Sequence, residues 1–550
     1  MSKDKYDRQT RLWGEGQVLI SKCSVLCFNS DAAIAEILKN LILSGIGSVC
    51  VTDDSVIKDN DLLSNFFVTE KDVGKKRAEV LLKNLLELNS DVKGKAVLQN
   101  PNEYISNKNN LNEILSYDIY ITADLSEEFY RNIYRLTKTH NKRLISVSNN
   151  GLYGFMRIYE NFHANMKLRL MESPVSDFRL NEPWKELADF AAEFQLEKLS
   201  EIDRSRVPYF ALLIKGLKVF EQKFGKRNPR SFQEKEEFKQ ILSSFSQPND
   251  ELNGNVKEAV SHYYYCNADA GELLLEKIND VFLAVQSHPP NFFLSASNFF
   301  MKLFFFFVLA LKKFAEKNGG FPLCGNIPDM ISSTENYIKL KKIYMQKAEK
   351  DHGEMRDIVL DLVKSAEGME EGERGHLVEL ITSKSEDTVD IIDILNKNWP
   401  QITLFEYPEY EEEETGKNLD RENFDDEHKK SNFIIYILFR ASQIFGEKNK
   451  RFPGENIKDF ESDVNELKSI SSVLLQKITP PPFENALSYL SNDIIHEFCR
   501  MGHSLLPPVV SFFGSVASQE IIKLITYQFK TFNNTLIYDG VNVVLSDFKI

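Results

Sequence analysis

The sequence predicts an α/β fold with a mostly parallel sheet, interrupted in the chain by a large, mainly helical insertion. A strand–turn–helix unit lies at 24–47, and strand and helix patterns alternate to about residue 165. Long helical patterns fill 166–489, and α/β patterns return at 490–550. Alternating strands and helices are typical of a parallel sheet covered by helices. We therefore predict one α/β domain formed by 1–165 together with 490–550, and a separate helical insertion formed by 166–489.

The first strand–turn–helix unit has the shape of a nucleotide-binding βαβ unit. Residues 25–28 are an apolar run of strand length, and apolar residues recur at helical spacing over 34–42. Asn29, Ser30 or Asp31 can cap this helix. Such a turn normally carries Gly-x-Gly-x-x-Gly, because glycine lets the backbone approach a phosphate. This turn has no glycine, and Asp31 places a negative charge where a phosphate would sit.

The other α/β elements follow in order along the chain. Further strand patterns lie at 48–52, 117–122, 144–147 and 151–158, and a helix is predicted from residue 73. Near the end, an amphipathic helix pattern over 509–525 precedes a hairpin at 536–545 with an Asp-Gly turn.

The middle of the chain is predicted to be helical, with examples at 207–224, 271–285 and 337–348. The apolar run 303–311 is about half of the roughly 20 residues that a membrane span requires, so a buried helix is the better interpretation. The mostly acidic run 409–428, which includes Glu at 411–414, is predicted to be a solvated loop.

Composition and charge limit the function classes. The 550 residues carry a formal charge of −14, which argues against a general nucleic-acid binder and leaves acidic surfaces for basic protein partners. Six cysteines without regular spacing suggest a reducing compartment. The N-terminus is too polar for a signal peptide, and no membrane association is expected.

Several motifs carry a resemblance to activating enzymes for ubiquitin-like modifiers, which have a Rossmann-like ThiF/MoeB-type adenylation fold. The shared signature consists of 5–14 (KYDRQTRLWG), 36–41 (EILKNL), 45–47 (GIG), 74–79 (GKKRAE) and 88–89 (LN). Within that group the chain is most similar to the regulatory subunits of the neddylation (NEDD/Rub-type) activating enzyme, the amyloid precursor protein-binding protein family. Motifs particular to these subunits lie at 65–67 (NFF), 87–92 (ELNSDV), 154–158 (GFMRI), 325–330 (GNIPDM), 496–500 (HEFCR), 519–523 (QEIIK), 532–535 (FNNT) and 537–538 (IY).

The resemblance implies a heterodimer in which this chain is the inactive half. The catalytic partner would adenylate the NEDD-type modifier with ATP and magnesium, take it onto a cysteine as a thioester, and pass it to a conjugating enzyme. The insertion would resemble the catalytic-cysteine domain without the cysteine. The family also implies a cytoplasmic and nuclear protein.

Three residues match functional positions of the active relatives only in part. Lys75 and Arg77 match basic positions, and Asp124 lies near the expected magnesium ligand. Active members have an arginine where this chain has Asn65. Adenylation needs a phosphate cradle, cations and a magnesium carboxylate together. We therefore interpret the three residues as relics, and expect no catalytic residue in cis, no cofactor and no metal in this chain.

Arg8 is the main candidate for a functional residue. By spacing alone it is an ordinary surface or interface arginine. The resemblance implies that an N-terminal arginine of one half reaches the nucleotide of the other, and an arginine carries a fixed charge and a planar donor fork suited to phosphate. Arg8 is thus the candidate trans contact to the partner's ATP, and Arg11 is a lesser candidate.

The cysteines are expected to be structural or incidental, at positions 23, 27, 50, 266, 324 and 499. Cys499 has a histidine close in sequence, His496, and a nucleophilic thiolate needs such a neighbour. Three alternative functions remain: the regulatory half of a SUMO-type activating enzyme, a scaffold that contributes nothing to the ATP site, and an autonomous NAD-dependent enzyme. The missing glycines argue against the last of these.

Overall fold

The computed structural model describes residues 5–550 except 167–176, 248–250, 267–268, 289–292, 295–298, 383–389, 408–414, 422–423, 425 and 479. The chain forms two compact units. One consists of 1–163 and 405–550, and the other of 164–404. The acidic segment 411–414 lies outside the described residues.

The described strands are β1 (Ser24–Phe28), β2 (Ser48–Thr52), β3 (Lys93–Val97), β4 (Ile119–Ala123), β5 (Arg143–Asn150), β6 (Tyr153–Tyr159), β7 (Phe162–Asn165), β8 (Thr403–Glu406), β9 (Thr535–Asp539) and β10 (Val544–Phe548). In the first unit the described helices are α1 (Asp7–Trp13), α2 (Gly16–Lys22), α3 (Ala32–Leu43), α4 (Asp61–Ser64), α5 (Arg77–Leu86), α6 (Pro101–Ser106), α7 (Leu111–Leu115) and α8 (Glu127–Thr139). The second unit contains α9 (Lys185–Glu193), α10 (Glu201–Ser205), α11 (Tyr209–Phe224), α12 (Phe232–Ser243), α13 (Gly254–Ser261), α14 (Asp269–Gln286), α15 (Phe299–Asn318), α16 (Thr334–Ser365), α17 (Glu371–Thr382) and α18 (Ile391–Asn398). The first unit then resumes with α19 (Glu427–Asn449), α20 (Phe460–Lys477), α21 (Ala486–Tyr489), α22 (Asn492–Met501) and α23 (Pro507–Thr526).

The first unit is built on an eight-stranded sheet with the order β10-β9-β6-β5-β4-β1-β2-β3. The five strands from β5 to β3 run parallel, and β6, β9 and β10 add antiparallel pairs. The central strands β1 and β4 are apolar and almost completely buried, as expected for a sheet covered on both faces. The predicted α/β fold is confirmed.

One face of the sheet is covered by α3 and α23. The two helices approach so closely that a Cβ at Gly514 would lie 2.6 Å from the Cβ of Glu36. By length and composition alone, α23 could cross a membrane, but 67% of its most apolar window is buried inside the fold. Its apolar composition therefore reflects a core helix.

The helices on the opposite face of the sheet show where the chain returns to the α/β unit. The predicted boundary at 489/490 differs from the structure. Helix α19 packs on the antiparallel strands, and its Phe433 lies against Phe548 at a ring-centroid distance of 5.8 Å. Phe439 stacks on Phe155 of β6 at 5.7 Å. The helices from 427 onward therefore belong to the α/β unit, because their apolar side chains complete the core of its sheet.

The second unit, 164–404, is mainly helical, as predicted for the middle of the chain. Helix α11 lies at the centre of one apolar cluster, with its residues from Tyr209 to Leu217 almost all buried. The apolar run 303–311 lies in α15, where nearly all of it is buried. The interpretation of this run as a buried helix is confirmed.

The α/β unit should be sensitive to a side chain at Gly454. This residue has a φ of +80°, and a Cβ there would lie 1.8 Å from the carbonyl oxygen of Cys499 in α22. Gly454→Ala should lower the free energy of unfolding by about 3 kcal/mol, since it adds overpacking to backbone strain. Urea denaturation followed by circular dichroism measures this change.

Gly74→Ala is the matched control. Gly74 has a φ of +82°, and a Cβ there would meet no atom within 4 Å. Only the strain of the left-handed backbone applies, so the loss should be about 1–2 kcal/mol. Equal losses in the two variants would contradict the close approach of α22 to residue 454.

Candidate functional site

The candidate site lies where parallel strands β1, β2, β4 and β5 end. Ligands in open α/β sheets bind outside these carboxyl ends. Polar residues follow or end each strand here: Asn29, Ser30 and Asp31 after β1, Asp53 after β2, Asp124 after β4, and Ser148, Asn149 and Asn150 in the last part of β5. The structure thus brings the turn and the predicted relic Asp124 to one edge of the sheet.

The turn after β1 satisfies its own backbone groups. Asn29 has a φ of 88°, and its side-chain oxygen accepts a hydrogen bond from the Ser30 amide at 2.7 Å. Asp31 is the N-cap of α3 and accepts a hydrogen bond from the Ile34 amide at 3.0 Å. A phosphate at a helix N-terminus needs these amides and tolerates no carboxylate beside it. The turn therefore does not fit a nucleotide.

Arg77, at the start of α5, directs its guanidinium into this turn. Its Nη2 donates to Asn29 Oδ1 at 2.7 Å and to Asp53 Oδ2 at 3.0 Å, and its Nε donates to Ser30 Oγ at 3.0 Å. Nη1 donates to Asp61 Oδ1 at 3.0 Å. Every nitrogen of the guanidinium has a partner in the same chain. Arg77 therefore neutralises carboxylates at the turn after β1, where a nucleotide-binding βαβ unit holds phosphate.

The charge of Arg77 also sets the ionisation of Asp53. Burial alone would raise the pKa of this carboxyl, but Arg77 and hydrogen bonds from Ser30 and Ser55 hold the pKa below its usual value. Asp53 is therefore ionised at neutral pH and forms a buried ion pair with Arg77.

Lys75 forms its ion pair outside this cluster. It is exposed and pairs with Asp72 at 2.8 Å. Hydrogen bonds from Lys75 and Thr69 lower the pKa of Asp72 to about 2. Asn65, which the resemblance places where active members have an arginine, is buried and accepts a hydrogen bond from the Phe67 amide at 3.0 Å, so it organises its own loop.

Asp124 lies in a second part of the site, where burial favours the neutral forms of the titratable groups. It accepts a hydrogen bond from Ser148, and its Oδ2 is 3.6 Å from Nε2 of His503. Burial raises the pKa of Asp124 to about 7 and the pKa of Asp31 to about 6, and it lowers the pKa of His503 to about 4. Because a magnesium ligand must be ionised, a carboxyl that is about half protonated at neutral pH is poorly suited to the role.

His503 was not predicted from the sequence. Its ring stacks on Phe452 at a centroid distance of 3.7 Å, and its amide donates to Asn150 Oδ1 at 2.8 Å. The residue follows α22 in a loop and belongs to no motif, so only the fold places it beside β4. Within the described part of the chain, no group of three or more His, Cys, Asp or Glu side chains could hold a metal ion.

The space beside this cluster is small. A cavity lined by Ser148, Asn150, Phe452 and His503, among others, has a volume of about 10 Å³. Such a volume holds about one water molecule. It has no room for a nucleotide.

The two N-terminal arginines lie outside the site, on the exposed face of α1. Arg11 Nε pairs with Asp7 at 2.9 Å. Arg8 is exposed, and among residues 5–550 as far as they are described it has no hydrogen bond or ion pair. Arg8 is thus the more available of the two cations.

The cysteines are free and mostly buried, and only Cys324 is partly exposed. Burial raises the pKa of Cys499 and of Cys324 to about 12. A nucleophilic cysteine has a lowered pKa instead. His496 packs near Phe460, with ring centroids 5.6 Å apart.

Comparison with known proteins identifies the family. A profile of the ThiF family matches residues 6–550. The chain is 33% identical to NEDD8-activating enzyme E1 regulatory subunit AXR1 of Arabidopsis thaliana, over 98% of this chain and 95% of the relative. The chain belongs to the ThiF family, among the NEDD8-activating enzyme E1 regulatory subunits. It is also 30% identical to the regulatory subunit of Xenopus laevis, over 100% of this chain and 99% of the relative.

The raised pKa of Asp124 should make the stability of the protein depend on pH. A carboxyl with a raised pKa binds more protons in the folded than in the unfolded state between about pH 4 and 7, so stability falls as pH rises through this range. Asp124→Asn removes the titrating carboxyl, and with it this loss of stability at high pH. The variant should gain up to about 4 kcal/mol in unfolding free energy over wild type at pH 8, and much less at pH 4. Urea denaturation at the two pH values measures the difference.

Asp72→Asn is a control of opposite sign. The lowered pKa of Asp72 means that its ionised form stabilises the fold above about pH 4, and this contribution is lost as pH falls towards 2. This variant should be less stable than wild type at pH 8. A uniform effect of Asp124→Asn at both pH values would show that the pKa of this carboxyl is the same in the folded and the unfolded protein.

Proposed function

We propose that this chain is the regulatory, non-catalytic subunit of a heterodimeric activating enzyme for a NEDD8-type modifier. The observation that carries the proposal is the guanidinium of Arg77, held by Asp53, Asp61 and the β1 turn where a nucleotide would bind. Similarity to named regulatory subunits over the whole chain supports the same conclusion. The chain then has no complete active site of its own.

In the proposed complex, the catalytic partner binds ATP and magnesium. The C-terminal carboxylate of the modifier attacks the α-phosphate, and pyrophosphate leaves. A cysteine of the partner then takes the acyl group as a thioester and AMP leaves, before transfer to a conjugating enzyme. We place this complex in the cytoplasm and the nucleus, and we assign it neither nucleic acid nor membrane as a partner.

The contribution of this chain to the chemistry is assigned to Arg8. An exposed arginine without an ion-pair partner in the described residues of its own chain can reach a second subunit at little desolvation cost. Its fixed charge would stabilise the negative charge that develops on the phosphates as pyrophosphate leaves. Arg11, paired with Asp7, is less available for this role.

ATP–pyrophosphate exchange tests the division of labour. We expect exchange with NEDD8 only when this chain and a catalytic partner are mixed, and none for this chain alone. Exchange by this chain alone would overturn the proposal, because it would place a working adenylation site within 1–550. Full exchange by the partner alone would reduce this chain to a scaffold.

Arg8→Ala in the assembled heterodimer should lower the exchange rate by about 10²-fold, the usual loss when one donor to a developing anion is removed. The matched control is Arg135→Ala, which removes an exposed arginine on α8. A wild-type rate for Arg8→Ala, with assembly verified by gel filtration, would refute the trans role of Arg8.

A further inference from the structure

Two motifs that are far apart in the sequence meet at the N-terminal arm. The Tyr6 hydroxyl donates to Asp91 Oδ2 at 3.0 Å, and it accepts a hydrogen bond from Asn89 Nδ2 at 2.8 Å. Asn89 Nδ2 also donates to the carbonyl oxygen of Ile42 at 2.8 Å. Lys5 adds an ion pair with Asp91 at 2.9 Å. The arm is thereby connected to the loop after α5 and to the end of α3.

A third motif forms the floor under Tyr6. Gly45 has a φ of +80°, and a Cβ there would lie 2.5 Å from Cε1 of the Tyr6 ring. Only glycine allows both this backbone conformation and this close approach. Tyr6 is 3% exposed, although the residues on either side of it are exposed.

The other end of α1 is anchored independently. The carbonyl oxygen of Trp13 accepts a hydrogen bond from Gln528 Nε2 at 2.8 Å, and its ring packs edge-on against Phe529 at 5.6 Å. A helix of seven residues is not stable alone in water. Its geometry therefore depends on these two anchors, while Arg8 between them is exposed.

We propose that Tyr6, Asn89 and Gly45 form a clamp that positions Arg8 for the partner's ATP. The inference rests on the proposed function, since it assigns a role to the residues that hold Arg8. An arginine on a disordered arm would lose much conformational entropy on reaching the phosphates. One on an anchored helix is already oriented, and a displacement of about 1 Å can cost about 10²-fold in rate. Tyr6 is a positioning residue because it acts only through Arg8.

The test is a double-mutant cycle in the assembled heterodimer, with ATP–pyrophosphate exchange as the readout. Tyr6→Phe keeps the ring over Gly45 and removes only the hydroxyl that Asn89 and Asp91 hold. We expect it to lower kcat about 5- to 10-fold in the wild-type background. In the Arg8→Ala background the same change should alter kcat less than 2-fold, because there is no arginine left to position.

Two further variants keep the test decisive. Tyr337→Phe is the matched control: its hydroxyl donates to Asp329 at 3.3 Å on an exposed surface of the helical unit, and its removal should change neither background. Asp91→Asn weakens the clamp through a residue whose side chain is 48% exposed, so the fold tolerates it. Asp91→Asn should also slow exchange only when Arg8 is present.

The outcomes separate the two proposals. A wild-type rate for Tyr6→Phe, or an equal loss with and without Arg8, would overturn the clamp. The proposed function would still stand in that case, provided that Arg8→Ala slows exchange. A wild-type rate for Arg8→Ala would instead overturn the trans role itself.

Discussion

One largely buried cation, Arg77, connects several elements of the first unit. Arg77 connects the turn after β1 through Asn29 and Ser30, the end of β2 through Asp53, and α4 through Asp61. Removing one member of such a buried set leaves an uncompensated charge and costs about 3–5 kcal/mol. The edge of the sheet that could have bound a nucleotide is instead closed by the protein's own charges.

In the second half of the same edge, around Asp124, a different physical effect opposes nucleotide binding. Asp31 and Asp124 are buried and His503 is mostly buried, and for each the pKa shifts in the direction that favours the neutral form. Arg77 thus keeps Asp53 ionised, while burial favours the neutral form of Asp124. Neither half of the edge offers what a phosphate with its magnesium ion requires.

Arg8 and Arg77 show how environment decides the role of one residue type. Arg77 is enclosed by acceptors of its own chain, and its donors are used for folding. Arg8 is exposed on a helix whose two ends are anchored by Tyr6 and Trp13. The same planar cation can therefore stabilise the fold at one position and be presented to a second subunit at the other.

The sequence predicted most local elements of the α/β unit, the missing glycine cradle and the family, because strand and helix periods and turn residues depend on neighbours in the chain. Tertiary structure alone decided that α19 belongs to the α/β unit. Residues 432–443 of this helix are all buried. A helix that is buried on all sides has no single apolar face from which its packing partner could be predicted. It also decided that His503 reaches Asp124 and that Tyr6 meets Asn89, because each contact joins side chains that are far apart in the sequence and whose distance depends on how the backbone folds between them.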